Sequence, residues 1–578
     1  MMRNLLLALA LWPAVVTAQN VRASVQQGPD TVVYDLVISG ARVFDGTGNP
    51  WFYGDVAIRD GKIARVGRLD SVRATRRVDA RGRALMPGVI DLHSHADDGS
   101  SPRGGFRDPN AKRRAAPNLV MQGVTTVVVN QDGRSPLPIA EQRSTVERLG
   151  IGPNAILLVG HGSVRARVMG SDIRRPARPD EIAAMRELVR QGMRDGAWGL
   201  SAGLEYVPGR WSTTDEVVAL AEEIVPYRGV YISHERSEGQ DPMWFWPSQD
   251  PAGAPTLLDA VRETIEIGER TGATVVASHL KAKGLNYWGS SAAALELIER
   301  ARARGVDVWA DQYPYNTSGS DGSTVLVPGW ALGGARDDPD AASGPRDYAA
   351  GLRRTLSDST LAAKARRDIA HEIARRGGAE QVMIFDFPDS TLAGKTLAQI
   401  AGTWRLAPVE TAIQLQLRGY PNRQGGARVR GFSLAEVDIE RIAAKSWVAT
   451  ASDAGIALPE DGPSTHARFY GTFPRKLRRY AIDGGVLPLE SAIRSMTSLP
   501  AQILGLRDRG MIREGMVADL ALIDVATIRD KATFFAPHQY AEGVETVWVG
   551  GVEVVAKGQP TWALPGKVLT KTGVRFQP

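Results

Sequence analysis

The sequence predicts an α/β fold in which eight strand–helix units form a (β/α)8 TIM-like barrel. Eight short runs along the middle of the chain are rich in apolar and β-branched residues. Near-continuous apolar runs are typical of parallel strands that are buried on both faces. Helical patterns occupy most of the gaps between these runs, as expected for a parallel α/β fold. The count of eight favours a closed barrel over an open sheet.

The predicted elements follow in a regular order. The strands are Val89–His93, Val124–Asn130, Ala155–Gly160, Ala197–Ser201, Val230–His234, Thr274–His279, Val306–Asp311 and Trp447–Asp453. The helices are Leu137–Leu149, Asp180–Arg194, Thr214–Val225, Leu257–Arg270 and Ala292–Arg304. The gap between the seventh and eighth strands is too long for one crossover. We therefore predict that residues 330–445 form an insertion within a barrel domain at 88–511.

Both ends of the chain have strand composition. Residues 32–87 contain the Asp60-Gly61 pair, which is a strong signal for a two-residue hairpin turn. Residues 512–570 contain two further strand-like segments, Ala518–Asp524 and Val544–Val555. The Gly550-Gly551 pair divides the second segment into two strands. We expect the two ends to build one small β-sandwich.

The first 18 residues resemble a secretory signal. Arg3 precedes an apolar run from Leu5 to Val16, and Thr17-Ala18 completes a small-residue cleavage site. The run is too short to span about 30 Å of hydrocarbon. We expect residues 1–18 to be cleaved off and the remaining protein to be periplasmic or secreted, with the periplasm expected in a Gram-negative cell. An uncleaved anchor is the alternative. After cleavage we expect no membrane contact.

Composition excludes several classes of function. Apolar residues make up 43% of the chain and charged residues 23%, which is ordinary for a globular protein. The net charge of +6 is small for 578 residues and is spread along the chain, so we expect no nucleic-acid partner. The sequence has no Cys. Disulfides, thiolate nucleophiles and Cys-ligated metals are therefore excluded.

Polar residues gather where the predicted strands end, which is where barrel active sites lie. These residues are His93, His95, His234, His279 and Asp453, with His161 after the third strand. A single one of these His residues is more often a core or surface residue. Imidazoles and a carboxylate that converge at strand ends predict a zinc-like divalent metal site. By contrast, His371 and His538 are predicted to be surface residues.

These residues resemble the amidohydrolase superfamily, whose members are metal-dependent hydrolases on a (β/α)8 barrel with a flanking β-sandwich. The segment Leu85-Met-Pro-Gly-Val-Ile-Asp-Leu-His-Ser-His is similar to the opening strand of the superfamily. The C-terminal Ile512-Arg-Glu-Gly-Met-Val-Ala-Asp-Leu-Ala-Leu-Ile-Asp is similar to its return into the sandwich. The resemblance covers nearly the whole chain after residue 18.

A narrower resemblance is to the D-aminoacylase branch, the N-acyl-D-amino-acid deacylases. Many short segments match in the right order, which is more specific than any one of them. They are Gly123-Val-Thr-Thr-Val-Val-Val, Gly160-His-Gly, Gly199-Leu-Ser-Ala-Gly-Leu-Glu-Tyr-Val-Pro-Gly, Ser233-His-Glu-Arg, Ser278-His-Leu-Lys, Asp311-Gln-Tyr-Pro-Tyr, Leu392-Ala-Gly-Lys-Thr-Leu-Ala-Gln-Ile-Ala and His466-Ala-Arg-Phe-Tyr-Gly-Thr-Phe-Pro-Arg.

Two departures from the family pattern concern the metal ligands. Most binuclear members of the superfamily use a carbamylated Lys on the fourth strand, but this strand contains no Lys here. The deacylase branch uses a Cys after the second strand, and Asp132 stands at that position. We infer that Asp132 replaces the Cys as a ligand. The alternative is that Asp132-Gly133 only forms a turn. The resemblance implies one or two divalent ions, with zinc expected.

The resemblance also implies the chemistry. A divalent ion lowers the pKa of water toward 7, and Asp453 is implied as the general base that later protonates the leaving amine. His161 or Tyr206 is a candidate for polarising the scissile carbonyl. The alternatives are that His161 shapes a turn and that Tyr206 is a wall residue.

An N-acyl amino acid has a free carboxylate that requires a cation. Lys281 resembles the carboxylate-binding Lys of the branch, and Arg468 offers a second charge through its planar fork. Tyr313 or Tyr315 offers a hydroxyl, or else packs beside Pro314. The sequence thus predicts deacylation of N-acyl-D-amino acids, with small molecules as partners. Alternatives are a dipeptidase, a dihydroorotase- or hydantoinase-type cyclic-amide hydrolase, and an inactive periplasmic binding protein.

Overall fold

The computed structural model describes residues 32–97, 105–333 and 347–571. The predicted signal segment, residues 1–18, lies outside this part of the chain. No helix within the described ranges has both the length and the apolar character that a membrane crossing requires.

Strands from the two ends of the chain lie in one nine-stranded sheet. Its strands are Val33–Val43, Phe52–Arg59, Lys62–Gly67, Arg73–Asp79, Ala84–Pro87, Leu520–Ile523, Val544–Val549, Val552–Ala556 and Gln559–Pro560. Ala84–Pro87 pairs antiparallel with Leu520–Ile523 and so joins the two contributions. Asp60 and Gly61 have positive φ angles of 52° and 70°, as a two-residue hairpin turn requires. The arrangement as a sandwich stays a prediction.

The middle of the chain is an α/β domain of the barrel type. Its parallel strands are Val89–Asp91, Val124–Val129, Asn154–Leu157, Val159–Gly160, Gly199–Gly203, Val230–His234, Thr274–Ala277, Val308–Gln312 and Val448–Thr450. We call these the first to eighth barrel strands, and the third is interrupted at Leu158. Its first part also pairs with the short strand Val568–Leu569. The barrel strands are almost entirely buried, which explains their continuous apolar runs.

Hydrogen bonds link the segments that follow the first and eighth barrel strands. The Asp453 amide donates to the His93 carbonyl and the His95 amide donates to the Ala454 carbonyl, each at 2.9 Å. The Asp91 carboxylate accepts hydrogen bonds from the Ser452 amide at 2.8 Å and from the Ser452 hydroxyl at 2.5 Å. These contacts bring the ends of two strands that are far apart in sequence to the same place.

Helices lie between the barrel strands and after the last of them. They are Ala111–Arg114, Pro117–Val120, Ile139–Leu149, His161–Met169, Pro179–Arg194, Thr214–Ala221, Leu257–Thr271, Ser291–Ala303, Glu436–Ala443, Arg468–Arg475, Leu489–Met496 and Ser498–Leu504, with a π-helix at Lys476–Asp483. Short 3-10 turns lie at Gly105–Arg107, Gly209–Trp211, Glu222–Tyr227, Leu285–Tyr287, Ser320–Ser323, Gly329–Leu332, Ser390–Leu392 and Pro459–Asp461.

Local sequence explains where two of these helices begin and end. Thr256 and Asp259 form a capping box at the start of Leu257–Thr271, and Gly272 ends that helix with a φ of 72°. The helix predicted at Thr214–Val225 is α-helical only to Ala221 and continues as a 3-10 turn that contains Pro226. Proline has no amide hydrogen to donate, so the α-helical pattern does not continue through it.

The insertion has its own core. Four helices and two antiparallel strands surround it: Tyr348–Ser357, Ser359–Arg375, Leu397–Trp404, Pro408–Arg418, Val382–Asp386 and Arg428–Gly431. Buried side chains from these elements, among them Leu352, Ile369, Ile384 and Ile413, form an apolar cluster separate from the barrel core. The cluster begins at Leu326, close to the predicted boundary.

Replacing Asp91 by Asn tests the contact between the first and eighth strands. Burial raises the pKa of Asp91 to about 7 from an ordinary 3.8, so the folded state binds this proton more tightly than the unfolded state. The contribution of Asp91 to stability therefore falls as the pH rises from about 4 to about 7, by at most about 1.4 kcal/mol per pH unit.

For Asp91→Asn we expect the free energy of unfolding of the metal-free protein to fall less between pH 5 and pH 7 than for the unmodified protein. Urea unfolding at pH 5, 6 and 7 measures it. Asp70→Asn, which changes an exposed aspartate, is the control. Equal pH slopes for Asp91→Asn and the unmodified protein would contradict the buried, protonated state.

Candidate metal centre

Six side chains that follow barrel strands meet at one end of the barrel. His93 and His95 follow the first strand, and His234 is the last residue of the fifth. His279 lies two residues beyond the sixth strand. The two carboxylates, Asp132 and Asp453, each lie three residues beyond their strands, the second and the eighth. The structure thus brings together all of the predicted ligands.

Asp132 lies at the centre of the group. Its Oδ1 atom is 3.5 Å from His93 Nε2 and 3.6 Å from His279 Nε2. The same atom is 3.8 Å from His234 Nδ1. It is buried and has no hydrogen-bond partner. Two ligands of one tetrahedral zinc, each about 2.0–2.1 Å from the ion, lie about 3.4 Å apart. The separations around Asp132 fit this spacing.

The ligand atoms form overlapping groups that share Asp132. One group contains His93, His95 and Asp132, and a second contains Asp132, His234 and His279. Asp453 extends the set, because its Oδ1 atom is 3.1 Å from His95 Nε2 and 3.7 Å from His93 Nε2. The donors are imidazole nitrogens and carboxylate oxygens, which suit zinc. These residues would hold one or two divalent ions.

The backbone at three of the ligands is in the left-handed region. The φ angles are 56° at Asp132, 37° at His279 and 49° at Asp453. This conformation is costly for residues with a Cβ and is concentrated at functional sites. The chain therefore turns sharply just beyond three strands in order to aim these side chains at one point.

Burial sets the protonation state of the histidines. It lowers the pKa of His93 well below its ordinary value of 6.5. Burial and the nearby Lys281 also lower the pKa of His279. Both rings are therefore neutral at pH 7, which is the form that binds a metal. Burial alone would raise the pKa of Asp132, but His279, His234 and the other imidazoles lower it, so its carboxylate is ionised.

A hydrogen-bond chain orients His93. Its Nδ1 atom is 2.6 Å from Ser278 Oγ, and the Ser278 hydroxyl donates to Asp311 Oδ2 at 2.8 Å. Asp311 Oδ1 also accepts the His279 amide at 2.6 Å. This network assigns the ring proton of His93 to Nδ1 and leaves the Nε2 lone pair facing Asp132.

Glu205 orients the ring of His234 through a hydrogen bond. Its Oε2 atom lies 3.1 Å from His234 Nε2, so the ring proton belongs on Nε2 and Nδ1 faces the centre. The other oxygen of Glu205 accepts the Met243 amide at 2.7 Å. Glu205 is not among the site residues predicted from the sequence. The available signal was its position directly after the fourth strand and next to Tyr206.

Glu238 is a second acidic residue at the site that was not predicted from the sequence. It forms a buried ion pair with Lys281, and its Oε2 atom lies 3.6 Å from Lys283 Nζ. Lys281 Nζ is also 2.8 Å from His279 Nδ1. Burial alone would raise the pKa of Glu238, but Lys281 and its other neighbours lower it, so the pair is ionic. The signal in the sequence was an acid four residues after His234.

An open cavity of about 280 Å³ adjoins the ligands. Tyr206 lines it, with its ring centroid 4.2 Å from that of His234. Burial raises the pKa of Tyr206 well above 10, so its hydroxyl stays protonated. Arg468 Nη1 lies 2.9 Å from Asp453 Oδ2. The Tyr313 hydroxyl is buried without a hydrogen-bond partner. Lys281 also lines this cavity.

Besides the fully buried ligand His93, two predicted site residues, His161 and Tyr315, do not line this cavity. His161 begins a helix, and its Nε2 atom lies 3.0 Å from Glu216 Oε1, beside a buried Arg165–Glu216 ion pair. The third strand ends at Gly160, so the ring lies in the helix that follows and contacts Glu216 instead of the cavity.

Tyr315 also lies outside the cavity. Its amide donates a hydrogen bond to the Tyr313 carbonyl at 3.0 Å. This tight turn breaks the extended alternation that would have placed Tyr313 and Tyr315 on one side. The Tyr315 hydroxyl donates to the Ala467 carbonyl at 3.3 Å. The two histidines predicted at the surface, His371 and His538, are both partly buried.

Comparison with known proteins places this geometry in context. The model of the amidohydrolase family matches residues 76–309 and 388–555. The chain is 32% identical to a D-aminoacylase of Alcaligenes xylosoxydans xylosoxydans over 94% of this chain and 99% of that protein. It is also 32% identical to the N-acyl-D-glutamate deacylase of the same organism, over 93% of this chain and 96% of that protein.

A solved structure resembles the chain over the same span. It is an N-acyl-D-glutamate deacylase from Bordetella bronchiseptica, complexed with zinc and a phosphonate that mimics the tetrahedral intermediate. The TM-score is 0.68 and the identity is 28%, with 93% of this chain and 100% of that chain covered. These comparisons confirm the resemblance to the D-aminoacylase branch that the sequence motifs indicated.

Replacing Glu205 by Gln tests whether it positions His234. A neutral amide is a weaker acceptor for the His234 ring proton, so we expect the affinity for zinc to fall about 10- to 100-fold. Chelator competition measures the zinc dissociation constant. Glu223→Gln, which changes a carboxylate paired with Arg186 and Arg190 in the helix layer, is the control. An unchanged zinc affinity in a folded Glu205→Gln protein would rule out this role.

Proposed function

The chain belongs to the amidohydrolase family, and we propose that it is a zinc-dependent deacylase that hydrolyses the linear amide bond of N-acyl-D-amino acids. One observation carries this proposal. Asp453 lies between the ligand histidines and Arg468, so a single carboxylate contacts both the metal centre and a cation suited to a substrate carboxylate. The relatives named D-aminoacylase and N-acyl-D-glutamate deacylase support the substrate class.

Asp453 is suited to accept a proton from water. A divalent ion at this centre supplies Lewis acidity, lowering the pKa of water toward 7 and polarising an amide carbonyl. Burial alone would raise the pKa of Asp453, but Arg468 and His95 hold it well below its ordinary value. The carboxylate is therefore ionised and able to accept. After water adds to the carbonyl carbon, Asp453 returns the proton to the amide nitrogen as the C–N bond breaks.

The walls of the cavity hold the rest of the substrate. Arg468 has a buried Nε atom without a hydrogen-bond partner, and its guanidinium carbon lies 4.7 Å from the Tyr313 ring centroid. Arg468 and the unpaired Tyr313 hydroxyl together provide donors for the α-carboxylate. Lys281 adds positive charge nearby, although Glu238 offsets it. Tyr206 is placed to donate a hydrogen bond to the carbonyl oxygen.

We further propose that residues 1–18 direct the chain out of the cytoplasm, to the periplasm or the medium. The basic start, the apolar run and the small residues before Gln19 support this. Expression of the full chain in a Gram-negative host, followed by fractionation and N-terminal sequencing, tests it. We expect a mature protein that begins near Gln19 in the periplasmic fraction. A full-length protein in the cytoplasm would contradict the proposal.

Hydrolysis assays with paired D- and L-N-acyl amino acids test the catalytic proposal. We expect release of the carboxylic acid and the free D-amino acid by the zinc-loaded protein. For Asp453→Asn we expect kcat to fall by at least about a thousandfold while zinc stays bound, because four histidines and Asp132 remain. Metal analysis accompanies the assay, and Asp70→Asn is the control.

The possible outcomes separate the alternatives. Full activity of Asp453→Asn would overturn the role of Asp453. Turnover of dipeptides only, or of cyclic amides only, would replace the deacylase assignment. A zinc-loaded protein that binds these ligands and hydrolyses none of them would be a binding protein.

A further inference from the structure

A second chamber lies beside the metal-site cavity. It has a volume of about 540 Å³ and is lined on one side by Arg430 and His466. Gly319, Ser323 and Arg468 line both spaces, so the two spaces share a wall. A molecule that binds Arg468 from the metal-site cavity can therefore extend along these shared residues into the second chamber.

Arg430 is a buried cation whose guanidinium packs 4.7 Å from the Phe534 ring centroid and forms no ion pair with a carboxylate of the described residues. Its side chain lies on the edge of the insertion, in the strand Arg428–Gly431, and the residue is only 7% exposed. Nη1 donates to Thr317 Oγ1 at 3.3 Å and to the Ser318 carbonyl at 3.2 Å, which are both neutral groups. No carboxylate in the described part of the chain forms an ion pair with Arg430.

Other buried arginines near this site are paired. Arg376 contacts Glu372 and Asp321, each within 3 Å, and Arg468 contacts Asp453. Burying a guanidinium costs free energy unless a negative charge accompanies it. Burial lowers the pKa of Arg430 to about 10, so the group is still charged at neutral pH. The nearby Asp321 attracts it only at longer range, because that carboxylate is bound by Arg376, so the position can accept an anion from outside the chain.

One short turn fixes the positions of the two guanidinium groups. A Cβ at Gly319 would lie 2.9 Å from Arg468 Nη2, and a Cβ at Gly322 would collide with Arg430 Nη2. The two glycines are three residues apart, in and beside the 3-10 turn Ser320–Ser323. Arg468 and Arg430 thus pack against neighbouring parts of one segment, with the space between them open.

We propose that Arg430 binds a second carboxylate of the substrate, so that this protein prefers dicarboxylic N-acyl-D-amino acids. The inference rests on the proposed deacylase function, with the α-carboxylate at Arg468. The second carboxylate belongs either to the amino-acid side chain, as in N-acyl-D-glutamate or N-acyl-D-aspartate, or to the acyl group, as in an N-succinyl-D-amino acid. Sequence similarity does not distinguish a neutral from a dicarboxylic substrate, because the D-aminoacylase and the N-acyl-D-glutamate deacylase are each 32% identical to the chain.

Matched pairs of substrates isolate the second charge. N-acetyl-D-glutamate is compared with N-acetyl-D-glutamine, which has the same shape without the charge. N-succinyl-D-leucine is compared with N-acetyl-D-leucine for the acyl arm. We expect kcat/KM for the charged member of one pair to exceed that for the neutral member by about 10- to 100-fold, as a charged hydrogen-bonded pair provides.

Two substitutions assign the preference to Arg430. Arg430→Met removes the charge and keeps the apolar stem, and Gly322→Ala keeps the charge but displaces the guanidinium. We expect both variants to lose most of the preference and to keep the turnover of N-acetyl-D-leucine. Arg418→Met is the control, since it removes an exposed positive charge from an insertion helix. Circular dichroism and zinc content confirm that each variant is folded and loaded.

Calorimetric binding of N-acetyl-D-glutamate and N-acetyl-D-glutamine gives a second readout. Charged and neutral substrates turned over equally would overturn the inference and leave the deacylase function standing. A preference that survives in Arg430→Met would also overturn it. If no N-acyl amino acid is hydrolysed, the proposed deacylase function fails. The calorimetric measurement then tests the second carboxylate site by itself. Tighter binding of the dicarboxylate that is lost in Arg430→Met supports the second site, and equal binding overturns it.

Discussion

A buried carboxylate oxygen that lacks a hydrogen-bond donor is the constraint on which this site depends. Asp132 Oδ1 faces three imidazole nitrogens at distances too long for hydrogen bonds and well matched to ligands of a common ion. An ionised oxygen in such a place is costly unless a cation compensates it. The left-handed backbone at Asp132, His279 and Asp453 adds to that cost. Both costs are reasonable only if metal binding repays them.

The surrounding hydrogen bonds make the ligand set specific. Ser278 and Asp311 orient His93, and Glu205 orients His234, so each ring presents a lone pair to the centre. The same Asp311 also holds the backbone of His279. Residues at the ends of neighbouring strands therefore position the ligands.

Much of the fold and of the ligand set was predictable because both depend on local patterns. Apolar runs mark buried parallel strands, and polar residues directly after them must lie at one end of a barrel. Glu205 and Glu238 escaped prediction because their roles depend on which neighbouring strand they face. His161 and Tyr315 were misplaced for a local reason: a helix begins at one, and a tight turn around Pro314 redirects the other.

A ligand group that contains Asp132 and no cysteine has a chemical consequence for the site. A centre made only of imidazole and carboxylate groups offers no sulfur for peroxide to oxidise or for another thiol to cap. Oxygen ligands are also harder donors than sulfur, and carboxylates suit harder ions such as manganese better than thiolates do. With no cysteine anywhere in the chain, no disulfide forms and no thiol is available for oxidation.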